Sequence, residues 1–218
     1  MSGPSSSGAP AKPATTALAL ACLVVWLAAA ACTQALGIWL ALGGAAVGLG
    51  AAVLVLDHPA ARRALQPSTR LAFAGAGAGC LMAAATYLLY PALARLSPII
   101  ATDTARLYGS FRALPPVIAS LALLPVVIGE ELVWRGVVQT ELARRLGPGR
   151  GVTLAALAYA LAHAPLGSPL LVAVALLCGM AWGTLRAASG SLVPSLLAHL
   201  VWDVLVFIWL PLDALRTG

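Results

Sequence analysis

Apolar residues in this chain fall into long blocks separated by short polar or basic stretches. The blocks cover about 17–33, 36–56, 71–93, 113–142, 152–164, 168–186 and 191–211. A run near 20 residues is what a helix needs to cross the hydrocarbon of a bilayer. The pattern therefore predicts six full spans, with 152–164 as a short seventh. The expected fold is all-α: a polytopic transmembrane bundle of six to eight helices, with a short or broken helix near the functional centre. The expected division is an amino-terminal tail at 1–16, a first set of spans and an interfacial loop at 17–112, a chemically richer half at 113–211, and a carboxyl-terminal tail at 212–218. Residues 2–16, rich in Ser, Gly, Pro and Ala, read as disordered. Residues 94–112, with Pro98, Gly109 and scattered charges, read as the longest loop, an interfacial segment or lid.

Composition agrees with this pattern. Of 218 residues, 61% are hydrophobic and 9% charged, and the mean hydropathy is +0.95. A soluble core of this size has no use for so much apolar surface. The pI near 9.7 would suggest nucleic acid in a soluble protein. Here most of the basic residues lie between apolar runs, so no nucleic-acid partner is expected and the lipid bilayer is the implied environment. One side would carry Lys12, Arg62, Arg63, Arg70, Arg144, Arg145, Arg150 and Arg186, and the other Arg95, Arg106, Arg112 and Arg216. The excess predicts an amino terminus on the inside. Low Lys with abundant Ala, Gly and Arg suggests a GC-rich bacterial genome, and hence the inner membrane. Ala31-Cys32 faintly resembles a lipoprotein signal, but the basic region before it is only Lys12, so an uncleaved first helix is expected. Cys22, Cys32, Cys80 and Cys178 lack CxxC spacing and read as small buried hydrophobes. The pairs Gly44 and Gly48, and Gly75 and Gly79, have the small-xxx-small spacing of closely packed helices.

Against that background the string Gly129-Glu130-Glu131-Leu132-Val133-Trp134-Arg135 stands out. Ionisable groups at membrane depth are costly and mark function. Glu131 and Arg135, four apart, can form an i,i+4 ion pair. Glu130 points about 100° around the helix and escapes that pair. A buried ion pair joining helices would account for Glu131 and Arg135 and leave Glu130 unexplained. His163 lies near the end of the short helix, and His199 and Asp203 share one face of the last. Counted from the loops at 143–151 and 187–190, Glu130, His163, His199 and Asp203 lie on the order of 12–18 Å deep, in one layer. Pro125 and Gly129 could distort the helix just before Glu130. The short helix at 152–164, tolerated where it lines a polar cavity, suggests water at that layer. One carboxylate neutralised and one free is an arrangement suited to general-base chemistry.

The series Glu130-Glu131-x-x-x-Arg135, Tyr159-x-x-x-His163 and His199-x-x-x-Asp203 resembles the three motifs of the CPBP intramembrane proteases, which include the type II CAAX prenyl endopeptidases and bacterial Abi proteins. The resemblance covers about 113–210. It implies peptide-bond hydrolysis by a glutamate-activated water, with Glu130 as general base assisted by His163. Glu131 and Arg135 would shape and neutralise the site, and His199 with residue 203 would stabilise the oxyanion. Two positions depart from the family: Tyr159 replaces the usual Phe, a minor change that adds a hydroxyl, and Asp203 stands where Asn is common. An ionised Asp cannot donate, so Asp203 is either protonated by burial, as some active-site carboxylic acids are, or orients His199, the preferred reading. No cofactor is expected; a zinc site on Glu130, His163 and His199 is the less favoured alternative. The implied partner is a membrane-associated protein, cut near its carboxyl terminus, carrying either a prenylated tail or a sorting signal as in myxosortase-like members. The rival readings are a non-catalytic partner-binding or immunity protein and an ion-coupled carrier. The carrier predicts repeated halves, whereas this chemistry is confined to one.

Overall fold

In a computed structural model, which describes residues 13–56 and 58–216, the chain is an all-α bundle with no strand among those residues. The helices are α1 (Pro13–Ala31), α2 (Trp39–Leu56), α3 (His58–Ala64), α4 (Thr69–Leu96), α5 (Pro98–Phe111), α6 (Pro116–Leu146), α7 (Pro148–Ala162), α8 (Pro169–Ser189) and α9 (Val193–Trp209). Prolines open many of them, because the first helical residue needs no N–H donor. Ser68 and Ser168 cap α4 and α8 by accepting from the N–H groups of Leu71 and Leu171 at 3.4 and 3.0 Å.

Among the described residues, four helices are long and apolar enough to cross a membrane: α2, α4, α6 and α8. The apolar parts of α1 (Thr15–Ala31) and α9 (Val193–Trp209) are shorter, so two of the six expected full spans fall below full length. For α9 the run at 191–211 overstated the helix, which covers only Val193–Trp209; the first run ends at a break instead, where Gly37, at φ 76°, separates the turn Thr33–Leu36 from α2. The short seventh is α7, 15 residues long. The outward faces carry Phe73, Leu81, Leu88, Val55 and Leu177, each at least 70% exposed, the surface a lipid solvent requires.

Three readings of the sequence are corrected. Helix α1 already begins at Pro13, so residues 13–16 of the expected tail are helical, while residues 1–12 lie outside the described residues. The expected loop at 94–112 is largely helix α5, which buries Ala101, Asp103, Thr104 and Tyr108 on one side. Cys22 and Cys178 are buried as expected, whereas Cys32 and Cys80 are exposed.

Close packing runs through glycine, though only in part through the pairs the spacing picked out. A Cβ at Gly79 would come within 2.7 Å of the Ala198 carbonyl oxygen, and one at Gly75 would collide with the Pro194 backbone, so α4 and α9 lie in near backbone contact. Gly44 and Gly48 face open space; it is Gly50 that meets Gly129 of α6, a Cβ there reaching 2.6 Å from its Cα. Helices α6 and α7 reverse about Gly147, whose φ of 86° favours glycine.

Candidate active site

Helix α6 stays α-helical through Glu131 and then becomes π-helical over Leu132–Val138. The distortion expected just before Glu130 thus lies just after Glu131. Helix α9 does the same after Asp203, over Val204–Trp209, and α2 opens with a π turn at Trp39–Gly43. Such turns free backbone carbonyls and cluster at functional sites. Side chains take up the freed groups: Thr140 donates to the Arg135 carbonyl at 3.0 Å, Tyr87 to Leu205 at 3.0 Å, and Tyr108 to Val206.

The structure brings all six expected residues together. Glu130, His163, His199 and Asp203 line one cavity of about 90 Å³, together with Tyr159 and Trp182. That is room for a few water molecules. Glu131 and Arg135 lie behind its wall, 0% and 2% exposed and paired at 3.2 Å (Arg135 Nη1 to Glu131 Oε1). The same Oε1 accepts from His199 Nδ1 at 3.0 Å. The other nitrogen of His199, Nε2, is 3.4 Å from Asp203 Oδ2 and 3.9 Å from Glu130 Oε2. The imidazole is thus held between carboxylates on both sides, and the indole of Trp182 stacks on it at 3.7 Å with 18° between planes.

Glu130 escapes the Arg135 pair, as the helical geometry required, but it is not unpartnered. Its Oε2 accepts from the Tyr159 hydroxyl at 2.9 Å. The Tyr159 carbonyl in turn accepts from His163 Nδ1 at 2.7 Å, which fixes that nitrogen as the protonated one and leaves Nε2 with its lone pair. The Arg135 guanidinium lies over the Tyr159 and Trp182 rings, 4.6 and 5.2 Å from their centroids, where the aromatic faces offset part of its desolvation.

Two contributors were given no role in the site from sequence. Tyr159 was read as a minor replacement; its position one turn before His163 was the available signal. Trp182 lies in an apolar run and carried no signal beyond its neighbours Gly179 and Gly183. As to metal, among the described residues no three His, Cys, Asp or Glu side chains are arranged to hold an ion.

Residues 112–205, which contain every side chain of this cluster, match the family model described as type II CAAX prenyl endopeptidase Rce1-like. No curated protein and no solved structure matches the chain.

Proposed function

With residues 112–205 forming a domain of the Rce1-like type II CAAX prenyl endopeptidase family, a family of intramembrane proteases acting on membrane-associated proteins, we propose that this protein is an intramembrane endopeptidase that cuts near the carboxyl terminus of its substrate by glutamate-activated water. One observation carries the reading: a carboxylate outside the buried ion pair, Glu130, faces a water-sized cavity shared with two histidines.

Glu130 takes a proton from water as the water oxygen bonds to the scissile carbonyl carbon. His163 Nε2, an acceptor by virtue of the Nδ1 hydrogen bond, holds the second water proton. The carbonyl π pair moves onto oxygen, and the His199 Nε2–H stabilises the resulting oxyanion. Collapse breaks the C–N bond, and the leaving amine takes its proton from Glu130. Glu131 and Arg135 fix His199 from behind, and Asp203, 3.4 Å from Nε2, orients the ring, as expected of an Asp that cannot donate while ionised. The commitment of His199 to Glu131 and Asp203 supports a mechanism without metal. We place the protein in a bacterial inner membrane with its amino terminus inside, the orientation the basic loops favour.

The test compares membrane proteomes of cells expressing wild type or Glu130→Gln at equal levels, with carboxyl-terminal peptides sequenced. New carboxyl termini are expected with wild type alone, unchanged by chelator, while Glu130→Gln accumulates and folds normally. Identical termini in both strains would favour a non-catalytic, partner-binding protein. Loss of cleavage on chelation, restored by zinc, would favour the metal-dependent variant.

A further inference from the structure

The catalytic cavity leads toward one end of the bundle. Its apolar lining includes Leu123 and Val126 of α6, Leu166, and Leu171 at the start of α8, closed by Trp39, Phe111 and Phe207. All lie between Glu130 and the end where α5 packs. Two larger grooves adjoin it there. One, of about 510 Å³, shares Ile38, Trp39 and Leu166 with the cavity. The other, of about 460 Å³, shares Phe111 and Phe207. The rings between are in mutual contact: Trp39 Nε1 donates to the Phe111 carbonyl at 3.3 Å, and Phe111 stacks on Phe207 at 4.5 Å.

The opposite end is sealed. Leu132, Val133, Trp134, Leu192 and Ser195 are each at most 1% exposed. The connection from α8 to α9 is tied down to α3, with Leu192 N and Ser191 Oγ donating to the Ala64 carbonyl at 2.8 and 3.1 Å. A small cavity of about 80 Å³ at that end shares no lining residue with the catalytic one.

Charge divides along the same axis. The sealed end carries Arg62, Arg63, Arg70, Arg144, Arg145, Arg150 and Arg186, and the open end Arg95, Arg106 and Arg112. Basic excess marks the cytoplasmic side of a multipass protein. We infer that peptide and water reach Glu130 from the extracytoplasmic side, so that the substrate is a segment of an exported, membrane-anchored protein that has already crossed the bilayer. The larger groove suits such an occupant: Thr33, Gln34, Arg106 and Ser110 offer polar contacts to an extended backbone beside the apolar Ile38, Leu40 and Leu107. A tail lipidated in the cytoplasm would meet the sealed end. The inference about substrate rests on the proteolytic reading; the direction of access does not.

Two measurements separate them. In full-length protein with the native cysteines replaced, Ser110→Cys in the groove and Arg150→Cys at the basic end are exposed to a membrane-impermeant maleimide in right-side-out vesicles. Labelling of Ser110→Cys alone is expected, with Arg150→Cys labelled only after permeabilisation; the reverse pattern overturns the direction of access. Carboxyl-terminal sequencing of wild type against Glu130→Gln is then expected to place new termini in exported segments. New termini in cytoplasmic tails would overturn the substrate inference. No new termini would sink the proteolytic reading, and the substrate with it, while the labelling result stands.

Discussion

Glu130 and Glu131 are adjacent in sequence, yet one is locked and the other faces the cavity. The 100° step between neighbours on a helix decides this, and the Glu131–Arg135 pair was legible from i,i+4 spacing alone. The partner of Glu130 was not legible. Its hydrogen bond comes from Tyr159, 29 positions away on α7, and only the approach of α7 to α6 makes the added hydroxyl matter. Tyr159→Phe removes one hydrogen bond while keeping the ring over Arg135 and the carbonyl that accepts from His163. A hydrogen bond to a charged group contributes about 1.5–3 kcal/mol. Cleavage by Tyr159→Phe is expected to fall at least about tenfold in kcat with KM little changed, and the thermal unfolding temperature to drop by a few degrees. An unaltered kcat would remove Tyr159 from the machinery.

At the scale of elements, small residues announced close packing but not which of them make it. Gly75 and Gly79 behave as their spacing suggested, whereas the contact assigned to Gly44 and Gly48 is made by Gly50 against Gly129. Spacing reports which residues share a face, not which face a neighbour covers. Gly129→Ala would drive a methyl group into the Ala46 backbone, and overpacking of this kind costs about 1–3 kcal/mol. Gly44→Ala meets nothing within 4 Å and should be neutral or stabilising by up to ~1 kcal/mol. Thermal unfolding in detergent is expected to rank Gly129→Ala below wild type and Gly44→Ala at or above it. Helix α5 was misread for a related reason: Pro98 is a helix-opening residue, not a breaker, and the buried positions 101, 104 and 108 mark one helical face.

For the whole molecule, the meeting of Glu130, His163, His199 and Asp203 at one cavity was legible, because depth follows from counting along helices. The fastening of α5 was not, since it depends on contacts distant in sequence. Asp103 accepts from Arg106 at 2.6 Å, from Ser168 at 2.5 Å and from the Leu170 N–H at 3.3 Å. Burial works against ionisation there, but the bonds from Ser168, Arg106 and Leu170 outweigh it and hold the carboxyl below the usual range. With its ordinary value near 3.9 and its folded value lower, Asp103 stabilises the packing of α5 fully above about pH 4 and loses that contribution as pH falls through the lowered value. Amide protection factors over 98–111 are expected to drop in that acid window, and Asp103→Asn to abolish the pH dependence. The shortness of α7 has a further consequence. Its 15 residues rise about 22 Å against hydrocarbon of about 30 Å, yet Leu154, Leu157 and Leu161 face outward, the last 63% exposed. Hydrophobic mismatch of this kind thins the bilayer beside the helix. Such thinning would draw headgroups and water inward next to His163, shortening the path from the aqueous phase to the cavity that Glu130 lines.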